Sequence, residues 1–355
     1  MAIKEHFGNQ ALQKWDDKKA VARDPSALEK YRTMLAEQIQ YFKVTQYFFF
    51  KQWTELKNYA NQKGIQIIGD MPIYVAADSV EVWTKPELFQ LDEERNPLFV
   101  AGVPADQFSA TGQLWGNPLY AWEEHKKQGY AWWIHRIEES FKIYDVLRID
   151  HFKGFSDYWQ VDGKAEVAKD GSWQPGPGYD LFKAVKEQLG DLPIIAEDLG
   201  NIDDKARKLL TDCNYPGMKI LQFGFEDVSG ESLDSPHYCI PHSIVYTGTH
   251  DNDVTNGWYN SLTEQQQQYI NDYTHRHEDE SICQAMIRQL FATVSNTAIA
   301  TMQDVLDLPA SSRMNVPSTI GGNWQWRMQQ SDLTQDKKDF LEKMTTLYQR
   351  ANQEK

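Results

Sequence analysis

Six short apolar runs, each followed by a helical or loop segment, constrain the fold of this chain more than any other feature of its sequence. The runs span residues 65–75, 146–152, 193–197, 218–225, 243–249 and 297–302. They are continuously apolar rather than alternating, which is typical of parallel strands that are covered on both faces. The intervening segments are long enough for crossovers, and four of them have helical spacing, over 132–143, 181–189, 203–210 and 280–294. The pattern therefore predicts an α/β fold built on parallel strands.

Charged side chains at the ends of these runs favour a barrel over an open sheet. Asp70 follows the core of the first run, Arg148 and Asp150 lie in the second, Glu197 ends the third and Asp251 follows the fifth. Functional residues at the C-terminal ends of several different strands are typical of a (β/α)8 barrel, whereas a doubly wound sheet gathers its site at one switch point. No GxGxxG follows a strand and no phosphate-binding GxxxxGK motif occurs. We therefore expect a TIM-barrel type of fold.

The chain is expected to open with helices and to carry one large insertion. Apolar spacing between residues 26 and 60 predicts two helices, which end before Gly64. The stretch 77–129 has no predicted strand and is rich in Gly, Pro and aromatic residues, and loops of that length are usually functional. We expect N-terminal helices and a first barrel strand in 1–76, an inserted lid or substrate-binding subdomain in 77–129, and the remainder of the catalytic barrel in 130–355.

Charge and aromatic content narrow the class of partner. The 51 acidic and 36 basic residues give a net charge of −15, which repels nucleic acid and anionic membrane surfaces. Phe, Trp and Tyr make up 13% of the chain, and flat aromatic rings suit the apolar faces of sugars. No run is as long and apolar as a membrane span, and the three cysteines have no CxxC spacing, so neither a disulfide framework nor a zinc site is indicated. We expect a cytoplasmic protein with a neutral ligand, and neither nucleic acid nor a membrane as a partner.

Two strand-end carboxyl groups have surroundings that suit opposite roles in glycosidic bond cleavage, which needs one carboxylate and one carboxylic acid. Asp150 lies two residues after Arg148, so both side chains point to one face of a strand, where the guanidinium favours an anionic nucleophile. Glu197 follows the apolar sequence PIIA, and apolar surroundings raise the pKa of a carboxyl group toward that of a general acid. Any one of these acids could instead be a salt-bridged group, but several at successive strand ends favour catalysis.

A third acid lies in a polar cluster. Asp251 is flanked by His250 and Asn252, which can hydrogen-bond sugar hydroxyls and favour an oxocarbenium-like transition state. His151 and His250 could ligate a metal with the neighbouring acids, but no HxH or HExxH pattern occurs, so no metal is expected. Asp70 is interpreted as structural support near the site.

Around these acids the sequence resembles the conserved blocks of the α-amylase clan, and specifically the amylomaltases, which are 4-α-glucanotransferases or disproportionating enzymes. The clan blocks are RIDHFKGF at 148–155, IIAEDLG at 194–200 and TGTHDND at 247–253. The segments that are similar to amylomaltases in particular are GDMPIYVAADSVEVW at 69–83, AGVPADQFSATGQLWGNPLYAW at 101–122, GMKILQFGF at 217–225 and RMNVPSTIGGNWQWR at 313–327. The resemblance implies a nucleophilic Asp150, an acid/base Glu197 and a stabilising Asp251.

The resemblance also implies that residues 101–117 form a loop over the active site. Two positions depart from the family pattern, Ala105 in place of a Pro and Lys153 in place of an Arg. Phe108 and Trp115 would then contact substrate, or they only pack the insertion. The full set of implied substrate contacts is Asp70, Asp106, Phe108, Ser109, Trp115, Arg148, His250 and Asn252.

The function implied is transfer of α-1,4-glucan segments to the 4-hydroxyl of another glucan or of glucose, by a retaining double displacement without a cofactor. Chains of the family begin with further segments that carry two barrel strands and a Ser-Pro-Tyr motif. We therefore expect six of the eight barrel strands here, and a barrel that is incomplete at its N-terminus. An α-glucan hydrolase and an inactive glucan-binding fragment are the alternatives.

Overall fold

The computed structural model describes residues 1–105, 111–200 and 202–351, and the chain divides into two compact units, residues 1–215 and 216–355. Parallel strands with intervening helices form the framework of each unit. In the described residues the strands are β1 (Ile68–Met71), β2 (Phe99–Val103), β3 (Gln113–Pro118), β4 (Val146–Ile149), β5 (Asp157–Asp162), β6 (Gly171–Pro175), β7 (Ile194–Ala196), β8 (Gly217–Ile220), β9 (Ser243–Tyr246) and β10 (Thr297–Ile299).

The helices differ widely in length. They are α1 (Ala2–His6), α2 (Lys18–Val21), α3 (Pro25–Met34), α4 (Ala36–Gln62), α5 (Val80–Thr84), α6 (Trp122–Lys127), α7 (Ala131–Ile143), α8 (Tyr179–Leu189), α9 (Asp204–Cys213), α10 (Leu221–Glu226), α11 (Thr255–Ser261), α12 (Glu264–Thr274), α13 (Ile282–Ala292), α14 (Met302–Val305) and α15 (Gln335–Leu347). Short 3₁₀ turns lie at Leu12–Lys14, Pro86–Leu88, Phe152–Phe155, Pro236–Tyr238, Ala310–Ser312 and Gln330–Asp332. None of the described helices combines the length and hydropathy that a transmembrane span needs.

The first unit contains a parallel sheet in the order β1-β4-β7. Its register places Asp70 opposite Arg148 and aligns Arg148 with Ile195. Helix α7 directly precedes β4 and packs on both β1 and β4. The main core of the unit includes Leu147 and Ile149, which have no exposed surface. Burial on both faces explains why these strands read as continuously apolar runs.

A second parallel sheet, in the order β10-β9-β8, lies in the second unit. All four residues of β9 are buried, and Val245 packs with Leu221 and Met286 in the core of this unit. Each of the six predicted strand runs therefore overlaps an observed strand, but residues 221–225 of the fourth run form part of α10 instead. The four predicted crossover helices are present as α7, α8, α9 and α13, with ends that shift by at most three residues.

The stretch 77–129 is not free of strands, so that prediction was wrong. It contains β2 and β3, which pair antiparallel and form a four-stranded sheet, in the order β3-β2-β5-β6, with residues 157–175. Residue Val161 of β5 aligns with Val100 of β2, and the pairing spans some sixty positions of sequence. Pairing between such distant segments leaves no local periodic signal, which is why the sequence did not predict it.

The helical start is confirmed as α3 and α4, but the short helices α1 and α2 precede them. Pro25 and the Asp24 cap begin α3, since the Asp24 side chain accepts from the amides of Ser26 and Ala27. None of the residues of α4 is buried, and Tyr41, Phe49 and Tyr59 are more than half exposed. Apolar spacing therefore predicted this helix correctly but not its exposure.

We expect the core of the first unit to be sensitive to the loss of a single side chain in β4. Leu147→Ala removes a fully buried side chain and should lower the free energy of unfolding by about 2–5 kcal/mol. Leu98→Ala is the matched control, because Leu98 is 49% exposed and should change the free energy by less than about 0.5 kcal/mol. Urea unfolding followed by tryptophan fluorescence measures both, and equal midpoints would contradict this packing.

Candidate active site

Arg148 joins the ends of two neighbouring strands by ion pairs. Its Nη1 atom lies 2.6 Å from Oδ1 of Asp70, at the end of β1, and 3.0 Å from Oδ1 of Asp150, just after β4. The Arg148 side chain is only 9% exposed. Burial opposes its charge, but Asp70, Asp150 and Glu197 outweigh burial and raise the pKa of Arg148. The guanidinium therefore stays charged and fixes the Asp150 carboxylate at the strand end.

Glu197 follows β7 directly, and its carboxyl group is held by two backbone amides. Oε2 accepts a hydrogen bond from the amide of His151 at 2.7 Å, and Oε1 accepts from the amide of Leu199 at 2.9 Å. The Glu197 backbone is fixed as well, since its amide donates to Ile149 and its carbonyl accepts from Phe152. These hydrogen bonds hold the ends of β4 and β7 together.

The carboxyl group of Glu197 is nearly surrounded by protein, although a little of the residue remains accessible to solvent. Burial, with the nearby charge of Asp150, raises its pKa to about 7, against the opposing effects of Arg148 and the two amides. Glu197 can therefore hold a proton near neutral pH. Asp150 and Glu197 lie on adjacent strand ends and can serve as the carboxylate and the acid.

His151 has a left-handed backbone conformation, with φ of 51°, directly after Asp150. The turn directs its amide toward Glu197. Burial lowers the pKa of its ring to about 4, so the imidazole is neutral near pH 7. Trp115 packs its ring at 88° to this imidazole, with 4.8 Å between the ring centres, and remains 36% exposed. A neutral imidazole and an accessible indole form a surface suited to a sugar ring next to the two acids.

Asp251 and His250 lie in the second unit, and a distant loop holds Asp251. Asn315 donates its Nδ2 hydrogen to Oδ1 of Asp251 at 2.6 Å, and Arg313 donates to the Asp251 carbonyl at 2.7 Å. His250 Nε2 lies 3.4 Å from Oδ2 of the same carboxylate, and the His250 ring lies 5.0 Å from the ring of Trp324. These contacts define Asp251 as a tightly held acid.

Arg313, Asn315 and Trp324 lie in the motif RMNVPSTIGGNWQWR, but no role was predicted for them. Only the motif indicated them, because they lie more than sixty residues from Asp251. Asn252, predicted to contact substrate, uses its Oδ1 atom to accept from the amide of Thr249 at 2.8 Å, and so caps its own turn. Its predicted binding role stays a prediction, while its observed contact is structural.

Three of the predicted substrate contacts, Asp106, Phe108 and Ser109, lie outside the described residues. Within the described ranges, one group of three possible metal ligands occurs, formed by His135, Glu138 and Glu139 on α7. Its two ion pairs are loose and solvent-exposed, which is ordinary for a helix surface. It does not include any of the strand-end acids.

Comparisons with known proteins agree with this geometry. Residues 1–334 match the family model described as 4-alpha-glucanotransferase. A 4-alpha-glucanotransferase of Streptococcus pneumoniae is 53% identical and covers 99% of this chain and 70% of its own length. One from Clostridium butyricum is 42% identical, covering 99% of this chain and 72% of its own length. The solved amylomaltase of Streptococcus agalactiae, in complex with acarbose, is 60% identical, with a TM-score of 0.97 over 99% of this chain and 71% of that one. This likeness confirms the predicted α/β fold of the TIM-barrel type.

The raised pKa of Glu197 predicts that this side chain lowers stability at high pH. The folded state binds its proton more tightly than the unfolded state, so the free energy of unfolding falls as pH rises from about 4.5 to about 7. Glu197→Gln has no proton to lose in this range. Its free energy of unfolding, measured relative to that of the parent, should therefore be higher at pH 8 than at pH 5 by on the order of 2 kcal/mol. Urea unfolding at the two pH values measures the gain.

The control is Glu187→Gln, because Glu187 lies on α8 with its side chain 65% exposed. It should show no such gain. A constant difference between Glu197→Gln and the parent at both pH values would mean that Glu197 is not held in its acid form.

Proposed function

The chain belongs to the 4-alpha-glucanotransferase family, and on that premise we propose that it moves α-1,4-glucan segments onto the 4-hydroxyl of an acceptor glucan or glucose by a retaining double displacement. Two neighbouring acids carry this proposal. Asp150 is ion-paired with Arg148, and Glu197 on the next strand end is buried and protonated. These are the two forms of carboxyl group that the reaction needs at the same moment.

In the first step, an oxygen of Asp150 attacks C1 of the donor glucan while Glu197 gives its proton to the departing glycosidic oxygen. The products are a glycosyl ester on Asp150 and a free sugar hydroxyl, and Glu197 becomes a carboxylate. Arg148 aligns Asp150 for attack, and the amides of His151 and Leu199 stabilise the new charge on Glu197. Asp251 is proposed as the third acid, which stabilises positive charge at C1, on the resemblance of its sequence block.

In the second step, the Glu197 carboxylate takes a proton from the 4-hydroxyl of an acceptor, whose oxygen attacks C1 and releases Asp150. Retention follows from two displacements at the same carbon. Water can replace the acceptor, and then the outcome is hydrolysis. An acceptor that stacks on an aromatic surface such as Trp115 gains a proximity advantage over water.

Further observations support the ligand class and the location that we propose. The Streptococcus agalactiae relative was solved with acarbose bound, which supports an α-glucan type of ligand here. The net charge of −15 disfavours polyanionic partners. All three cysteines are unpaired, which supports work in the reducing cytoplasm.

We expect Asp150→Asn to abolish glucan turnover while the protein stays folded. The amide has the shape of the acid but cannot form the glycosyl ester, so activity should fall below about a hundredth of the parent. Maltotriose incubation followed by chromatography measures turnover, and circular dichroism checks folding. Asp180→Asn, at a 58% exposed side chain on α8, is the matched control and should retain activity. Turnover above that level would remove Asp150 from the nucleophile role.

Truncation of Trp115 should favour water over the acceptor. Trp115→Ala should lower the ratio of transfer to hydrolysis more than it lowers total donor cleavage, because the acceptor loses its stacking surface while water does not. Glucose, longer oligosaccharides and total reducing ends from maltotriose give both quantities. Tyr41→Ala, at a 65% exposed aromatic residue on α4, is the control. A parent that yields only reducing ends, with no chain lengthening, would instead establish a hydrolase.

A further inference from the structure

Lys153 lies in the 3₁₀ turn that follows His151, and its ammonium group is held between two carboxylates. Its Nζ atom is 2.7 Å from Oδ2 of Asp203 and 3.0 Å from Oδ1 of Asp157. The Lys153 side chain is only 10% exposed. Its ammonium group also lies 4.7 Å from the ring centre of Trp173. A lysine that is this buried and this fully partnered is uncommon unless its position is structurally constrained.

The two carboxylates lie on different segments. Asp157 begins β5, directly after the turn that contains Lys153. Asp203 is the N-cap of α9, where its Oδ1 atom accepts from the amide of Ala206 at 2.9 Å, so that only Oδ2 is directed to Lys153. The ion pair with Asp203 therefore ties the turn after β4 to the start of the helix that follows β7.

These are the two segments that supply the amides on Glu197. The His151 amide comes from the turn after β4, and the Leu199 amide comes from the segment between β7 and α9. The Lys153–Asp203 contact joins the same two segments a little further along the chain. Lys153 lies two residues after His151, and Asp203 lies four residues after Leu199. The ion pair therefore ties together the two segments whose amides donate to one carboxyl group.

We infer that Lys153 is a positioning residue, which clamps the two loops whose amides hold the acid/base Glu197 and so sets the proton affinity of that carboxyl group. This inference rests on the proposed role of Glu197 as the acid/base. Among the described residues, the charges of Asp150 and Arg148 act on the Glu197 carboxyl group, and the backbone amide of His151 donates to it. Lys153 pairs with Asp157 and Asp203, whereas Asp150 pairs with Arg148. The charge of Lys153 also helps to lower the pKa of the His151 ring, so a change at Lys153 is compared with a change at Asp203.

The direction of the effect follows from the hydrogen bonds. Both amides donate to the carboxyl oxygens and favour the charged form, so they lower the pKa of Glu197 against the effect of burial. Loosening the clamp weakens these bonds and should raise the pKa.

The test is a direct titration of Glu197 in the full chain, which does not depend on turnover. Difference infrared spectroscopy follows the protonated carboxyl band, and its absence in Glu197→Gln assigns it to this residue. Lys153→Met should raise the midpoint by about half a pH unit or more. Lys153→Arg, which keeps the charge and can bridge both carboxylates, should keep the parent midpoint. Lys205→Met, the same change at an exposed position on α9, should also keep it.

A kinetic comparison separates positioning from general damage. Lys153→Met should lower the rate of maltotriose cleavage by about tenfold, since proton donation becomes less well aligned. The first, single-turnover release of fluoride from α-maltosyl fluoride should fall by less than about threefold, because fluoride leaves without needing the proton and this step precedes the one that uses Glu197 as a base. Equal losses with both donors would mean that the mutation only disturbs the fold.

Should Lys153→Met lower the melting temperature sharply, Asp203→Asn decides the question, since Asn retains the N-cap of α9 while the ion pair is lost. It should raise the Glu197 midpoint in the same direction. An unchanged midpoint in a folded Lys153→Met or Asp203→Asn variant would overturn the inference. The proposed function fails separately, if Glu197→Gln still transfers glucan.

Discussion

The ion pairs of Arg148 with Asp70 and Asp150 are the interaction on which the rest of the site depends. A buried guanidinium is stable only when carboxylates surround it, and here the carboxylates come from the ends of neighbouring strands. The parallel register that sets Asp70 opposite Arg148 is therefore both a structural and a chemical requirement. Asp70 gives the buried guanidinium a second carboxylate, so Asp150 does not have to neutralise it alone. A shift of one residue in this pairing would turn Arg148 to the other face.

The second requirement is the opposite treatment of two neighbouring carboxyl groups. Asp150 forms an ion pair with Arg148, whereas burial dominates at Glu197 and raises the pKa of Glu197 to about 7. The two amides on Glu197 then limit that rise, and they stabilise the carboxylate that remains after the proton has left. The acid/base role that we propose for Glu197, in which it gives and takes a proton near neutral pH, needs this balance. Because the pKa of Glu197 is raised, this side chain makes the folded state less stable at high pH.

Much of this arrangement could be predicted from the sequence, because its signals are local. The apolar runs that contain β4 and β7 identify strands, and the two-residue spacing of Arg148 and Asp150 places both on one face. The antiparallel sheet could not be predicted, since β2 pairs with β5 across a long stretch of chain. Similarly, no periodicity connects Asn315 with Asp251, or Asp203 with Lys153. Side-chain hydrogen bonds between distant segments depend on tertiary packing, which local patterns do not encode.

The covalent bond between the donor sugar and Asp150 tests the account most directly. Glu197→Gln incubated with α-maltotriosyl fluoride should form the glycosyl ester, because fluoride needs no proton to leave, and should keep it, because no base remains to activate water or an acceptor. Mass spectrometry of a rapidly acid-quenched digest should then find the added trisaccharide on the peptide that contains Asp150. An ester on another residue, or donor consumption without any ester, would contradict the account.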